Sequence, residues 1–239
     1  MLGKTLPARP VSKASFKGAV HRLKDRLADL QTRVRDSDRS VLIALEGPDE
    51  SGKSTVALRL LETLDPRGFK VWHTYAPEAE ELARPWLRRF WLQVPRRGAI
   101  ACFDRSWYGR MLVERVERIA SKAEGARAAR EIREFERTLA DGGTVIVKLL
   151  LHLSKREQRR RFEETERDPN QRWRVKKEDW RRHRRHGEYE KAFREMVAGT
   201  SSRQAPWRVI PADDRRTTEV LALKAIADGV ARGLGKGTP

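Results

Sequence analysis

Apolar residues at Val20, Leu23, Leu27, Leu30 and Val34 recur at three- and four-residue spacing, which paints one stripe of a helix over about 19–34. A polar link, Asp36 to Ser40, leads to Val41-Leu42-Ile43-Ala44-Leu45. Such a short run, without polar interruption, suits a strand buried on both faces. Comparable runs recur over 69–75, 99–103, 144–153 and 207–210, each after a stretch with helical character. The alternation predicts an α/β fold, with a five-stranded parallel sheet flanked by helices. Helices are expected over 56–64, 85–91, 107–119 and 123–139, the last stopped by Gly142-Gly143. Residues 154–198 are dense in Arg, Lys and Glu with scattered aromatics, which reads as exposed helices with a thin apolar seam. No internal repeat or domain boundary stands out. A single domain is expected over 19–232, between disordered tails at 1–18, which are basic, and 233–239.

Charge narrows the choice of partner. Lys and Arg number 52 against 34 Asp and Glu, a formal net charge of +18, so a polyanion is expected. Nucleic acid, an anionic membrane surface and a chain of phosphates all satisfy that Coulombic rule equally. The one cysteine, Cys102, excludes an intramolecular disulfide and suits a reducing cytoplasm. No apolar run approaches the roughly 20 residues that span a bilayer, and the longest, Val145 to Leu153, is broken by Lys148. No membrane partner is expected. The six Lys and Arg of the first 24 residues are not followed by a signal-peptide core, which leaves a basic tail or, alternatively, an organellar transit segment.

The chemistry concentrates in two places. Gly47-Pro48-Asp49-Glu50-Ser51-Gly52-Lys53-Ser54 satisfies G-x-x-x-x-G-K-[ST] directly after a predicted strand and before a predicted helix. In such a loop, backbone amides converge on phosphate oxygens at a helix N-terminus. Gly47, Glu50, Ser51, Gly52, Lys53, Ser54 and Thr55 are therefore candidate phosphate contacts, with Lys53 reaching the transferable group and Ser54 a ligand for Mg²⁺. Asp49 is unusual, because a carboxylate there repels phosphate unless a cation intervenes; the alternatives are a helix cap or a solvent-facing side chain. The second place is the apolar strand 99–103, which ends in Asp104 and Arg105, as P-loop enzymes hang a carboxylate beside Mg²⁺. Arg110 and Arg115 follow as candidate phosphate contacts or as salt-bridged helix surface. The five histidines are scattered, without ligand spacing.

Several phrases together resemble the family 2 polyphosphate kinases. Phe103-Asp104-Arg105-Ser106-Trp107-Tyr108-Gly109-Arg110 with Leu112-Val113-Glu114-Arg115-Val116-Glu117 resembles their acidic-strand signature, and Glu46-Gly47-x-Asp49-x-x-Gly52-Lys53 their phosphate loop. The likeness continues at Arg89-Phe90-Trp91, Glu131-Ile132, Phe135-Glu136, Lys148, Glu157-Gln158, Arg161-Phe162, Asp168-Pro169, Trp173, Asp179 and Ala205-Pro206-Trp207, so that it runs from about Val20 to Arg232. It implies a P-loop kinase fold (thymidylate-kinase-like) with a helical lid, here residues 154–186. It also implies Mg²⁺ held by Asp49, Asp104 and Ser54, and reacting phosphates gripped by Lys53 and Arg105. Arg161 and Asp179 would be lid positions, with Arg161 and Arg167 as further phosphate contacts.

The implied activity is Mg²⁺-dependent transfer between inorganic polyphosphate and a nucleoside mono- or diphosphate, AMP or ADP and conceivably GMP or GDP, by a cytoplasmic homodimer or homotetramer. Ser54-Thr55 departs from the family wording and is closer to ordinary nucleotide kinases. An ATP-dependent nucleoside-monophosphate kinase is thus one alternative. A non-catalytic polyanion binder is another, with Trp173 and Trp180 available for stacking on bases. Nucleic acid is the less expected partner, since a pure binder has no need of the set Asp49, Lys53 and Asp104. Trp107-Tyr108-Gly109-Arg110 looks like the AMP-phosphorylating members, many of which join two such domains, whereas this sequence carries one.

Overall fold

The computed structural model describes residues 10–235. Five strands, β1 (Ser40–Glu46), β2 (Phe69–His73), β3 (Ile100–Asp104), β4 (Thr144–His152) and β5 (Trp207–Pro211), form one parallel sheet in the order β2-β3-β1-β4-β5. Ten helices connect and cover it among the described residues: α1 (Lys13–Arg35), α2 (Lys53–Leu61), α3 (Ala79–Leu82), α4 (Arg88–Trp91), α5 (Val113–Val116), α6 (Lys122–Asp141), α7 (Lys155–Arg167), α8 (Lys177–Arg184), α9 (His186–Thr200) and α10 (Arg215–Leu234).

Every residue of β1 is buried, because alternate side chains enter two separate cores. Val41, Ile43 and Leu45 face α1, α2 and α10, together with Leu27, Leu60 and Ile226. Leu42 and Ala44 join Phe103, Trp107, Phe135 and Phe193 on the opposite face. Lys148 of β4 points into that second core, where its ammonium donates to Glu136 Oε2 (2.7 Å), Tyr108 Oη (2.9 Å) and the Thr200 carbonyl (2.8 Å). The charge that interrupts the longest apolar run is thereby neutralised inside the protein.

Several boundaries differ from the sequence expectation, and the helix expected over 85–91 is only the four residues of α4. Helix α1 begins at Lys13, inside the predicted tail 1–18, because the Ser12 hydroxyl accepts from the Ser15 amide (3.1 Å) and caps it; residues 1–9 lie outside the described residues. Helix α10 likewise runs through 233 and 234, and 236–239 lie outside the described residues. The helix predicted over 107–119 is instead a 3-10 turn, Trp107–Arg110, followed by the four-residue α5. Ser106, Trp107, Tyr108, Arg110, Met111 and Leu112 are all buried, a density that one inward helical stripe cannot supply. Both β1 and β3 end at the same edge of the sheet, where open parallel sheets form their ligand crevices.

Candidate active site

After Glu46 the chain leaves β1 through Gly47, where φ is 149° and an added Cβ would lie 2.5 Å from the Leu151 carbonyl oxygen. Only a hydrogen fits there. Glu50 and Gly52 adopt positive φ (63° and 99°), and Gly52 caps α2, which starts at Lys53. The Lys53 ammonium is buried and folds back on the loop, donating to the carbonyls of Gly47 (2.8 Å) and Pro48 (2.9 Å). Burial and the neighbouring Arg105 pull its pKa down, against the pull of Asp104, Asp49 and Glu46. Ser51 is fully buried in the loop, whereas Thr55 is exposed on the first turn of α2.

The loop is held from outside by α7. Gln158 Nε2 donates to the Asp49 carbonyl (3.0 Å), and Arg161 Nη1 to that of Glu50 (2.8 Å). Arg161 also donates through Nη2 to the Ala212 carbonyl (2.6 Å) and through Nε to Glu157 (2.8 Å), and it is 1% exposed. All three nitrogens are committed to protein acceptors. Arg161 therefore clamps the loop backbone in this structure and is not on the wall of the cavity beside it, whereas the sequence pointed to a phosphate contact.

The acidic groups take different partners. Ser54 Oγ donates to Asp104 Oδ2 (2.7 Å), and His73 Nδ1 lies 3.4 Å from the same oxygen. Asp104 Oδ1 is buried and has no hydrogen-bond partner among the described residues. Asp49 is paired with Arg105 and lies 3.5 Å from Arg182 Nη1. Burial raises its pKa, but Arg105, Lys53 and Arg182 together outweigh that and hold it below the usual carboxylate value. Oxygen donors of this kind suit Mg²⁺, which takes one or two carboxylates and completes its shell with water and substrate phosphate oxygens. The unpartnered Asp104 Oδ1 beside Ser54 fits that requirement. Among the described residues no three His, Cys, Asp or Glu side chains cluster as a metal site, so a cation here would draw on substrate oxygens.

Arg105 sits at a strained φ of 64°. The turn is fixed by its amide donating to the Leu45 carbonyl (3.1 Å), by Thr74 Oγ1 donating to its carbonyl (2.6 Å), and by the amide and hydroxyl of Ser106 donating to Glu46 Oε1 (2.9 and 2.8 Å). Burial pushes the Glu46 carboxyl up to about 7, in spite of the Ser106 bonds and the nearby Lys53.

Beside the loop opens a cavity of about 520 Å³, walled by Asp49, Arg105, Arg182, Trp86, Phe90 and Arg110 among others. Of the expected contacts, Arg110 reaches this cavity but is ion-paired to Glu114 (3.0 Å) and Glu124 (3.1 Å). Arg115 and Arg167 are not brought to it. Arg115 turns to Glu195 of α9, and Arg167, exposed at the end of α7, lies 3.7 Å from Glu163. Asp179 caps its own helix through the Lys176 amide (2.8 Å) and meets Arg182 (3.3 Å), one step from Asp49. Glu46, Gln158 and Arg182 were not singled out as site residues by sequence. Glu46 and Gln158 lie inside the family phrases, and Arg182 is one of a dense run of lid arginines with no local mark.

Residues 10–234 match the family model described as Polyphosphate kinase 2. The chain belongs to that family. It is 40% identical over 213 residues to the polyphosphate:AMP phosphotransferase of Acinetobacter johnsonii, covering 89% of this chain and 44% of that one. With the ADP-polyphosphate phosphotransferase 3 of Rhizobium meliloti the identity is 33% over 209 residues, covering 87% and 74%. The crystal structure of polyphosphate kinase 2 from Arthrobacter aurescens superposes with a TM-score of 0.92 at 29% identity, covering all of this chain and 89% of that one. The chain spans about half the length of the curated polyphosphate:AMP phosphotransferases it matches. The architecture is thus the P-loop kinase fold. No helix among the described residues is long and apolar enough to cross a membrane.

Proposed function

We propose that this chain moves a phosphoryl group between inorganic polyphosphate and a nucleoside mono- or diphosphate. The observation that carries the reading is the meeting, at one edge of the sheet, of the loop with Lys53, the Ser54–Asp104 pair and the Asp49–Arg105 pair at the mouth of a nucleotide-sized cavity. Phosphoryl transfer asks for in-line placement and positive charge around the moving group rather than a covalent enzyme intermediate. Lys53 would exchange the loop carbonyls for phosphate oxygens, and Arg105 and Arg182 would shift from Asp49 toward the developing charge. Asp104, Ser54 and Asp49 would hold Mg²⁺, which when bound neutralises oxygens of the transferred phosphate and its neighbour. A nucleotide's terminal phosphate is already anionic at neutral pH, so the acceptor needs no strong base.

A second reading, an ATP-dependent nucleoside-monophosphate kinase, is favoured by Ser54, which stands beside Asp104 where ATP-using P-loop enzymes hold Mg²⁺ with a Ser or Thr and an Asp. Supplying the purified chain with Mg²⁺, AMP or ADP, and either polyphosphate or ATP separates the two. Turnover with polyphosphate supports the first reading, and turnover with ATP alone supports the second.

A further inference from the structure

Four buried side-chain atoms lack a hydrogen-bond partner among the described residues: Asp104 Oδ1, Arg89 Nε, Arg110 Nε and Arg182 Nε. Native interiors leave few such atoms, and all four of these lie at the loop or on the wall of the cavity beside it. Two of the arginines are accounted for by carboxylates. Arg110 sits between Glu114 and Glu124, and Arg182 between Asp49 and Asp179. Arg89 is different.

Arg89 belongs to α4 in the crossover from β2 to β3. Its Nη1 meets Glu81 (3.1 Å) and its Nη2 donates to the Tyr75 carbonyl (3.2 Å), so the guanidinium is fixed, with its side chain 15% exposed. Of the five N–H groups an arginine carries, those two contacts use two and Nε–H is enclosed, which leaves one N–H on each Nη for a ligand in the cavity. Glu81, its one ion-pair partner within 4 Å, is itself 31% exposed and so partly screened by water, and Glu114 feels the Arg89 charge from farther off. A fixed guanidinium with a spare donor on each Nη, set in a cavity wall, suits a phosphate or carboxylate.

We propose that Arg89 grips the phosphate of the acceptor nucleotide in this cavity, an assignment that rests on the phosphotransfer reading above. The rest of the far wall says why the ligand is a nucleotide rather than a stretch of polyphosphate. Arg110 is neutralised by Glu114 and Glu124, Arg127 by Glu131 (2.8 Å), and Trp86 and Phe90 supply aromatic surface. An ion-paired, aromatic compartment suits an uncharged nucleoside, whereas a polyanion would be driven against Glu114 and Glu124. One phosphate at Arg89, with its nucleoside beyond, satisfies both halves.

The test is calorimetric titration of the full chain with AMP and, separately, with adenosine, without polyphosphate, for the wild type, Arg89→Gln and Arg89→Lys. Steady-state KM values for AMP and polyphosphate accompany it. The expected result is an AMP affinity reduced about tenfold or more in Arg89→Gln, the scale of one lost charge-assisted bond, and less in Arg89→Lys. Adenosine affinity and the KM for polyphosphate should stay within about twofold, well inside that change. If thermal melting shows Arg89→Gln to be unfolded, Arg89→Lys carries the comparison. Unchanged AMP affinity, an equal loss for adenosine, a parallel rise in the KM for polyphosphate, or a wild type that does not bind AMP would overturn the assignment. A wild type that binds AMP through Arg89 yet takes no phosphate from polyphosphate would leave the assignment standing and defeat the phosphotransfer reading instead.

Discussion

Replacing Arg161 with Met tests whether that side chain is a clamp or a ligand. Met keeps most of the buried length but removes the donors to the Glu50 and Ala212 carbonyls, at 2.8 and 2.6 Å. Glu157 is not orphaned, because Arg160 holds both of its oxygens at 2.7 Å. Two charge-assisted bonds at about 1.5–3 kcal/mol each predict a loss of about 3–6 kcal/mol. That is a large part of the 5–15 kcal/mol by which domains are typically stable. For a chain of this size it corresponds to a melting point lower by about 10 °C. Urea unfolding followed by circular dichroism, with the slope m compared between variants, reads the loss directly. A variant of unchanged stability whose only defect is weaker polyphosphate binding would refute the clamp and restore Arg161 as a phosphate contact.

Glu46→Gln should change how stability depends on pH. The folded carboxyl titrates at about 7, above its value of about 4.3 in an unfolded chain, so the folded state holds the extra proton between those values. Its stabilising contribution is complete below the lower value and is lost as pH rises through about 7, by up to about 4 kcal/mol. Gln keeps an oxygen for Ser106, so melts from pH 4 to 8 should show the variant losing that slope; an unchanged slope would exclude Glu46 as its source. Lys148→Met should cost about 3–5 kcal/mol by leaving Glu136 buried without its cation, although Lys148 is far from any expected substrate contact. A variant as stable as the wild type in urea would show that Glu136 simply takes up a proton.

The sheet was legible because strand-length runs rich in apolar residues recur five times, although only those of β1 and β3 are free of a polar residue and buried throughout, while β2 and β5 expose Lys70 and Arg208. The loop was legible because its glycine spacing has one mechanical use. Asp49, Lys53, Ser54, Asp104 and Arg105 lie together at one edge because the loop after Glu46 joins β1 to the start of α2, and β3 beside it ends at Asp104. What side chains do after the chain folds was harder to read. Arg161 and Arg115 are equally basic in sequence, but one is drawn under the loop by two carbonyls and the other outward by Glu195. The helix expected over 107–119 was lost for a similar reason. Glu136, almost 30 residues away, takes both the Trp107 Nε1–H (3.1 Å) and the Tyr108 hydroxyl, a contact that local periodicity does not encode. Arg182 carries no local mark, and Arg89 is marked only by the family phrase Arg89-Phe90-Trp91, without a role; the cavity gives both a place.

The central claim is that Asp104, beside Ser54 at the loop, holds the cation on which transfer depends. The most direct measurement is the rate of phosphate transfer from polyphosphate to AMP or ADP, across a Mg²⁺ titration, for the wild type and Asp104→Asn. The account predicts a folded variant that still binds polyphosphate, turns over about 100-fold or more slowly, and requires more Mg²⁺ than the wild type. A variant with the wild type's turnover and Mg²⁺ dependence would contradict it.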